Sequence, residues 1–304
     1  MHNRLRFFDP RHRSAILSTL AALGVAIALL STPSTAGARP AAPSVALPLV
    51  AYEYVPPGST LSRFGVGSSR TYDVRDYPIV GLGAGWYWDW EARPEAARPG
   101  DVEYYPTIRL KQTGPAEFSY VPNDATIAAT ARANPGTVWF IGNEPDCIHQ
   151  DDLVPEVYAA AYQHLYTLIK GIDPTALIAA GQIVQPTALR LQYLDRVLAA
   201  YQAAHGVPLP ADVWAIHAYP LNEQLGIWGA GIPAGIDATE GLVLEWGDGA
   251  ATLDVDLFRS FLHSFRGWMA ERGYRNCPLL VTEFGVLAGV EWGASFEPAS
   301  VNAY

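Results

Sequence analysis

The stretch VWFIGNEPDC, residues 138–147, decides how the fold of this chain is interpreted. Its first four residues are apolar and belong to the types that favour β-strands. A glycine follows, and after it come Asn143, Glu144 and Asp146. A buried strand is therefore predicted to end in one amide and two carboxylates, and the rest of the chain must explain what these polar groups do there.

Short apolar segments of the same kind alternate with longer amphipathic segments along most of the chain. The predicted strands are Arg63–Gly67, Gly81–Trp88, Glu103–Leu110, Val138–Gly142, Leu177–Ile183, Val213–Tyr219 and Leu279–Glu283. The predicted helices are Asn123–Ala133, Pro155–Lys170, Pro186–His205 and Asp254–Arg272. Strands that are apolar almost throughout and alternate with helices predict a parallel sheet covered by helices.

The number of predicted strands favours an α/β fold of the (β/α)8 TIM barrel type with one strand missing. The chain stops at Tyr304 in what resembles the start of a helix. We therefore expect the barrel to be truncated before its last helix and eighth strand. In such a barrel the active site lies at the carboxyl ends of the strands, which is where residues 138–147 place their acids.

Composition agrees with one large folded domain and limits its partners. Half of the 304 residues are hydrophobic and 16% are charged, which is ample for a sizeable core. The formal net charge is −10. An acidic protein is a poor candidate for binding nucleic acid or anionic lipid, because both attract basic surfaces. A neutral substrate is therefore expected.

The first 38 residues have the pattern of a secretory signal peptide. Arginines precede an apolar run from Ala15 to Leu30, and small residues up to Ala38 offer a cleavage site. An uncleaved membrane anchor is the alternative, although the run is short for a membrane span. We expect residues 39–62, rich in Pro and Ala, to be a leader and residues 63–304 to form the barrel. The protein is thus predicted to be secreted.

A second acid stands at the end of the seventh predicted strand. Strict alternation would place Glu283 on the same face as Leu279 and Val281, and Glu144 on the same face as Phe140. If these are the inner faces, the two glutamates converge over the barrel mouth. Two convergent carboxylates are what glycosidic bond cleavage requires, because one protonates the leaving oxygen while the other attacks the anomeric carbon or activates water.

Two motifs resemble those of a known group of enzymes. The sequence Asn143-Glu144-Pro145 after the fourth strand, with Thr282-Glu283-Phe284-Gly285 after the seventh, resembles the clan of retaining glycoside hydrolases that carries its acid/base on strand four and its nucleophile on strand seven. The resemblance implies that Glu144 is the acid/base and Glu283 the nucleophile. It also implies that Asn143 binds the 2-hydroxyl of the sugar.

A third motif, from Trp214 to Pro220 on the sixth predicted strand, supports the same resemblance. Members of the clan often carry a His and a Tyr in the active site there, and this chain has His217 and Tyr219. Both are therefore predicted to bind substrate. The alternative for His217 is a hydrogen-bonded histidine of the core.

Aromatic residues are concentrated in the segment Gly85–Trp90, which resembles a motif of the small endo-β-1,3-glucanases. In those enzymes the motif stands on the first strand, whereas here it falls on the second. Alternation sends Trp86, Trp88 and Trp90 to one face, where they would form either a platform that stacks on sugars or part of the core. We predict substrate contacts for Trp86 and Trp88.

Two further features lie on the predicted catalytic side. Asp146 is expected to cap the following loop or to pair with an arginine rather than to touch substrate. A long insertion, Leu221–Leu253, contains Trp246, which is predicted to contact substrate. The alternative for this insertion is a surface cover for the barrel mouth.

The chain is therefore interpreted as a secreted retaining glycoside hydrolase that cleaves β-linked polysaccharide with two glutamates. Its partner would be a polysaccharide or oligosaccharide, and a membrane only if the N-terminal segment stays uncleaved. The sequence contains no strong metal-binding motif and no cofactor-binding loop, so neither a metal nor a cofactor is expected. The alternatives are a non-catalytic carbohydrate-binding surface protein on a barrel scaffold and an exo-acting glycosidase of the same clan.

Overall fold

A computed structural model of the chain describes residues 64–68, 73–244 and 254–285. The predicted signal peptide, the predicted leader and Trp246 lie outside these residues. Within the described ranges, no helix is long and apolar enough to cross a membrane.

The strands form two sheets. They are β1 (Gly65–Gly67), β2 (Trp86–Trp88), β3 (Glu103–Tyr104), β4 (Thr107–Gln112), β5 (Phe118–Val121), β6 (Val138–Ile141), β7 (Leu177–Ile183), β8 (Val213–Ala218) and β9 (Leu279–Phe284). One sheet has the order β1-β2-β3, and the other has the order β5-β4-β6-β7-β8-β9. Every pairing is parallel except that of β5 with β4.

The two sheets are parts of one curved wall, because β3 leads directly into β4. Only Tyr105 and Pro106 separate these strands, and the Tyr105 amide donates to the carbonyl of Tyr87 while β4 already pairs with β6. Counting β3 and β4 as one strand gives the seven parallel strands that the sequence predicts. The architecture is therefore α/β, with the strand order of a TIM barrel.

The barrel is open between its first and last described strands. Residues of β1 and β9 lie within 8 Å of each other by their Cα atoms, but in residues 64–68 and 279–285 no ladder joins the two strands. The expectation that the eighth strand follows Tyr304 stays a prediction.

Four helices cover the outside of the sheet in the described ranges. They are α1 (Asp124–Ala133), α2 (Pro155–Ile172), α3 (Ala188–His205) and α4 (Val255–Glu271). Each lies within two residues of its predicted bounds. Side-chain caps explain two of the starts, because Asn123 accepts from the amide of Thr126 and Asp254 accepts from the amide of Leu257, both at 3.0 Å.

The sequence does not predict β5. This strand forms a hairpin with β4 and has only one covered face, on which Phe118 and Tyr120 pack against His164 of α2. The alternation of apolar and polar residues from Phe118 was the available signal. The hairpin extends β4 beyond the carboxyl end of β6, so it stands on the side of the barrel where the predicted site lies.

Side chains pack on both sides of the wall. The outer core lies between sheet and helices, where Trp214 contacts Phe265 and Trp268 of α4 with ring centroids 5.9 and 5.0 Å away. The inner core fills the barrel with Trp86, Trp88, Tyr105, Val138, Phe140, Ala179, Val213 and Ala215. Burying one large apolar side chain contributes about 1.5–3 kcal/mol, so these two layers hold the strand ends in fixed positions.

Candidate active site

Glu144 lies in the tight turn after β6 and is held there by the backbone. Gly142 and Glu144 have φ values of +82° and +46°, and a positive φ is uncommon for a residue with a side chain. The Glu144 amide donates to the carbonyl of Gln182 on β7, and the Glu144 carbonyl accepts from the amide of Cys147, both at 3.0 Å. Glu144 is only 6% exposed. Backbone strain at a buried carboxylate is typical of functional sites.

The prediction of which β9 side chains face the barrel interior is wrong. The inner core contains Leu280, whereas Leu279 and Val281 pack against the outer core beneath the helices. Strict alternation from Leu279 would therefore turn Glu283 away from the barrel interior.

A β-bulge brings Glu283 back to the inner side. Val281 pairs with Ile216 of β8, but the next residue of β8, His217, pairs with Glu283, so Thr282 is an extra residue in the ladder. An extra residue in one strand re-aims the side chain that follows it. The predicted convergence of the two glutamates therefore holds, although for a different reason.

His217 bridges the two glutamates. Its Nδ1 lies 2.8 Å from Oε1 of Glu144, and its Nε2 lies 3.4 Å from Oε1 of Glu283. Burial alone would lower the pKa of the His217 imidazole, but the Glu283 and Glu144 carboxylates raise it above its ordinary value. The structure thus places His217 in the site. Its predicted contact with substrate stays a prediction.

Two further donors orient Glu283. The indole Nε1 of Trp90 donates to Oε1 at 2.8 Å, and the hydroxyl of Tyr219 donates to Oε2 at 3.1 Å. Burial, reinforced by the nearby carboxylates, raises the pKa of Tyr219, so its hydroxyl remains protonated as a donor. Sequence reasoning missed the role of Trp90, because its φ of +60° and its contact across the barrel leave no local pattern.

The protonation of Glu283 is set by opposing effects. Burial raises the pKa of its carboxyl and the neighbouring Glu144 adds to the rise, while His217 and the hydrogen bonds from Trp90 and Tyr219 lower it. The net direction is upward. The three neighbours therefore limit a cost that burial imposes on the ionised form.

The two carboxylates are close together. One carboxylate oxygen of Glu144 and one of Glu283 lie within 4.8 Å of each other and of a ring nitrogen of His217. Such a trio could also hold a divalent cation. Both oxygens of Glu283 already accept a hydrogen bond, however, so a cation would have to share them with Trp90 and Tyr219. Glycosidic cleavage by two carboxylates needs no metal.

Asn143 is fixed beside Glu144 with one polar atom unused. Its backbone amide donates to Oδ2 of Asp151 at 2.8 Å, and its side-chain nitrogen lies 3.3 Å from Oε1 of Gln150. Its side-chain oxygen is buried and has no partner among the described protein atoms. An unused acceptor beside the carboxylate of Glu144 agrees with the predicted contact to a sugar hydroxyl, which stays a prediction.

Trp86 and Trp88 belong to the inner core rather than to a sugar platform. They are 4% and 0% exposed, and the ring of Trp86 is stacked on Tyr105 with centroids 4.9 Å apart. On the other side of Trp86 lies Gly65, where no side chain would fit. A sugar finds no open ring face at either tryptophan. Below the rim of a barrel, the side chains on the inner face of a strand form core rather than a binding surface. Trp90, beyond the end of β2, donates a hydrogen bond to Glu283.

Asp146 pairs with an arginine, as the sequence analysis expected. Its carboxylate lies 2.5 Å from Nη1 of Arg190, and both side chains are fully buried. Burial raises the pKa of Asp146, and Arg190 opposes the rise. Asp146 is therefore part of the support of the site and does not face substrate.

Comparison with solved structures finds several glucanases of glycoside hydrolase family 128. A subgroup II endo-β-1,3-glucanase from Sorangium cellulosum is 18% identical, with a TM-score of 0.46 and coverage of 78% of this chain and 81% of that chain. A subgroup I endo-β-1,3-glucanase from Amycolatopsis mediterranei, bound to laminaritriose, is 18% identical, with a TM-score of 0.46 and coverage of 74% and 73%. A subgroup III curdlan-specific exo-β-1,3-glucanase from Blastomyces gilchristii is 20% identical, with a TM-score of 0.46 and coverage of 75% and 77%.

At these identities and TM-scores, the likeness does not carry a substrate over to this chain. A search of curated protein sequences returns no significant match. The model of a protein family described as glycosyl hydrolase catalytic core matches residues 65–227, which is more than half of the chain. These residues include the strands β1 to β8, Glu144 and His217. The chain therefore belongs to the family of glycosyl hydrolase catalytic cores.

Proposed function

We propose that this protein is a retaining glycoside hydrolase that cleaves a β-linked polysaccharide through a covalent intermediate on Glu283. The separation of the two carboxylates carries the proposal. Their nearest oxygens lie within 4.8 Å of each other. Retaining enzymes have carboxyl groups about 5–5.5 Å apart, whereas inverting enzymes leave about 6.5–9.5 Å for a water molecule.

In the first step, Glu144 gives its proton to the glycosidic oxygen while the bond from that oxygen to the anomeric carbon breaks. A carboxylate oxygen of Glu283 forms a new bond to the same carbon from the opposite side. Trp90 and Tyr219 hold both oxygens of Glu283 in place for this attack. Fixed orientation of the attacking group removes much of the entropic cost of the step.

In the second step, water attacks the anomeric carbon and the bond to Glu283 breaks. Glu144, now ionised, takes the proton of that water, so both glutamates return to their starting states. His217 contacts both carboxylates and can donate to whichever is negative, which keeps charge from accumulating unpaired in a buried site.

The substrate class rests on the sequence and on the surroundings of Asn143. The segment Gly85–Trp90 resembles a motif of small endo-β-1,3-glucanases, so we propose β-1,3-glucan as the first substrate to test. An open cleft of about 660 Å³ lies between the β4–β5 hairpin and residues 148–152, and Gln150 lines it while contacting Asn143. The lining of this cleft includes neither glutamate, so it would hold sugar units beyond the one being cleaved, which suits a polymer. The predicted export of the protein through residues 1–38 would bring it to such a polymer.

The function is tested by measuring reducing ends released from laminarin, curdlan, mixed-linkage β-glucan, xylan and mannan. Wild type is expected to hydrolyse at least one of them, while Glu144→Gln and Glu283→Gln abolish its release. Glu271→Gln, an exposed substitution on α4, is the matched control and should be fully active. Binding of a polysaccharide without any hydrolysis would instead indicate a carbohydrate-binding protein. Activity in both glutamate variants would refute the assigned roles.

A further inference from the structure

Arg190 is a fully buried arginine in the first turn of α3, outside the set of groups that would contact substrate. Its guanidinium donates five hydrogen bonds, to three residues of one loop and one residue of a turn. The contacts are Glu223 Oε1 through Nε, Asp146 Oδ2 and the Asp146 carbonyl through Nη1, and the carbonyls of Ala230 and Gly231 through Nη2. This uses every nitrogen of the guanidinium.

These contacts join α3 to two segments that are distant in sequence. Asp146 belongs to the turn of Glu144, two residues further along the chain. Glu223, Ala230 and Gly231 belong to the long loop 221–244 that follows β8. The carboxylate of Glu223 extends the connection, because its second oxygen accepts from the amide of Leu242 at 2.9 Å.

The turn of Glu144 depends on this network. Asp146 is itself fixed on both sides, since its carboxylate accepts from the amide of Val184 at 3.2 Å and from Arg190. Glu144 has a strained backbone, with φ of +46°, and such a conformation persists only where the surroundings impose it. Loosening Asp146 would therefore let the Glu144 turn relax.

Charge strengthens the coupling. Asp146 and Glu223 bring two negative charges into a region with 0% exposure, and Arg190 is the cation that contacts both. Removing the charge of Arg190 would leave both buried carboxylates without compensation, so the network stays assembled only while the cation is present.

We propose that Arg190 is a positioning residue that fixes the acid/base Glu144 and ties its geometry to the seating of the loop 221–244. The inference rests on the proposed function, because it concerns how the acid of that reaction is aimed. A displacement of about 1 Å in a reacting group can cost about 100-fold in rate.

The test compares two substrates that differ in their need for an acid. Hydrolysis of laminarin needs Glu144 to protonate a sugar leaving group, whereas 2,4-dinitrophenyl β-laminaribioside carries a leaving group that departs without a proton. The kcat/KM of each substrate reports the first chemical step. The variants are Arg190→Lys, which keeps the charge but not the fork of donors, and Glu223→Gln, which keeps the shape of its partner. Arg259→Lys on α4, at an exposed ion pair with Asp256, is the matched control.

For Arg190→Lys we expect kcat/KM on laminarin to fall about 100-fold and on the dinitrophenyl substrate less than about tenfold. Glu223→Gln should show the same bias with smaller losses, and it replaces Arg190→Lys if that variant does not fold. Equal losses on both substrates, with wild type active on both, would refute the positioning role and leave the proposed function standing. Wild type inactive on both substrates would refute the β-1,3-glucanase activity and with it this role.

Discussion

The two glutamates of the proposed reaction end two parallel strands of one wall, yet the protein holds them in different ways. Glu144 follows β6, which is buried along its whole length and paired on both sides, by β4 and β7. Glu283 lies in β9, which is half-buried and, in the described part of the chain, is hydrogen-bonded to β8 alone.

The contacts that fix the two side chains also differ. The position of Glu144 is set by its own backbone and by the buried pair of Asp146 with Arg190. The position of Glu283 is set by side chains that touch its carboxylate, Trp90 and Tyr219. The support of Glu144 is therefore part of the folded core, whereas the support of Glu283 is local to its carboxylate. Substitutions at the first should cost stability, and substitutions at the second should cost activity.

The largest effect is expected for Asp146→Asn. Breaking a buried ion pair costs about 3–5 kcal/mol, and because Glu223 still balances the charge of Arg190, the loss is expected at the lower end of that range. The free energy of unfolding, measured by urea titration, should fall by that amount. Asp256→Asn, at an exposed ion pair with Arg259, is the control and should change stability by about 1 kcal/mol or less. A loss for Asp146→Asn as small as that of the control would contradict the claim that the support of Glu144 is part of the folded core.

A smaller effect is expected for Tyr219→Phe. The substitution removes a hydrogen bond to a charged group, worth about 1.5–3 kcal/mol, so kcat/KM should fall about 10- to 100-fold while the urea midpoint hardly moves. Because the Tyr219 hydroxyl lowers the pKa of Glu283, its loss should also move the acid limb of the pH–activity profile to higher pH.

Tyr201→Phe, at a buried tyrosine of α3 whose hydroxyl donates to Gln163 of α2, is the matched control and should leave both the rate and the profile unchanged. An acid limb that moved to lower pH in Tyr219→Phe would contradict the contact with Glu283. A large loss of stability with no change in activity would remove the distinction between the two ends.

The smallest effect concerns the histidine that connects the two ends. The raised pKa of His217 favours its protonated form in the folded state. Its contribution to stability should be fully present below the ordinary histidine pKa of about 6.5 and lost as the pH rises through the raised value. The difference in unfolding free energy between wild type and His217→Gln should therefore shrink by about 1 kcal/mol as the pH rises from 6 towards alkaline values.

Gln202→Ala, at an exposed residue of α3 that does not titrate, is the control and should show a difference from wild type that stays constant with pH over this range. A difference for His217→Gln that grew as the pH rose would show that His217 is held neutral between the carboxylates. The bridge between the two ends would then be a plain hydrogen bond rather than an ion pair.

Much of the framework could be predicted from the sequence because its signals are local. Apolar runs bounded by Gly, Pro and Asp gave the seven parallel strands, and caps such as Asn123 gave the helix starts. The positions of Glu144 and Glu283 followed from the same pattern, since both stand where a strand ends. His217 and Tyr219 were found through the motif that contains them.

What could not be predicted depends on contacts between distant residues. The bulge at Thr282 changes which residues of β9 face the barrel, and an alternating pattern cannot reveal it. Trp86 and Trp88 were expected at the mouth but lie in the inner core, because the sequence does not tell how deep in the barrel a strand residue sits. The contacts of Arg190 could not be predicted, because its partners come from two other segments and no neighbouring residue indicates them.

The stereochemistry of the first product tests most directly whether Glu283 forms a covalent intermediate. Proton NMR of a β-glucan digest, recorded before the released sugar mutarotates, shows whether the new reducing end is β or α. Carboxylates whose oxygens lie within 4.8 Å of each other predict that the β configuration is retained. An α product released first would mean that water attacks directly, and it would contradict the covalent role of Glu283.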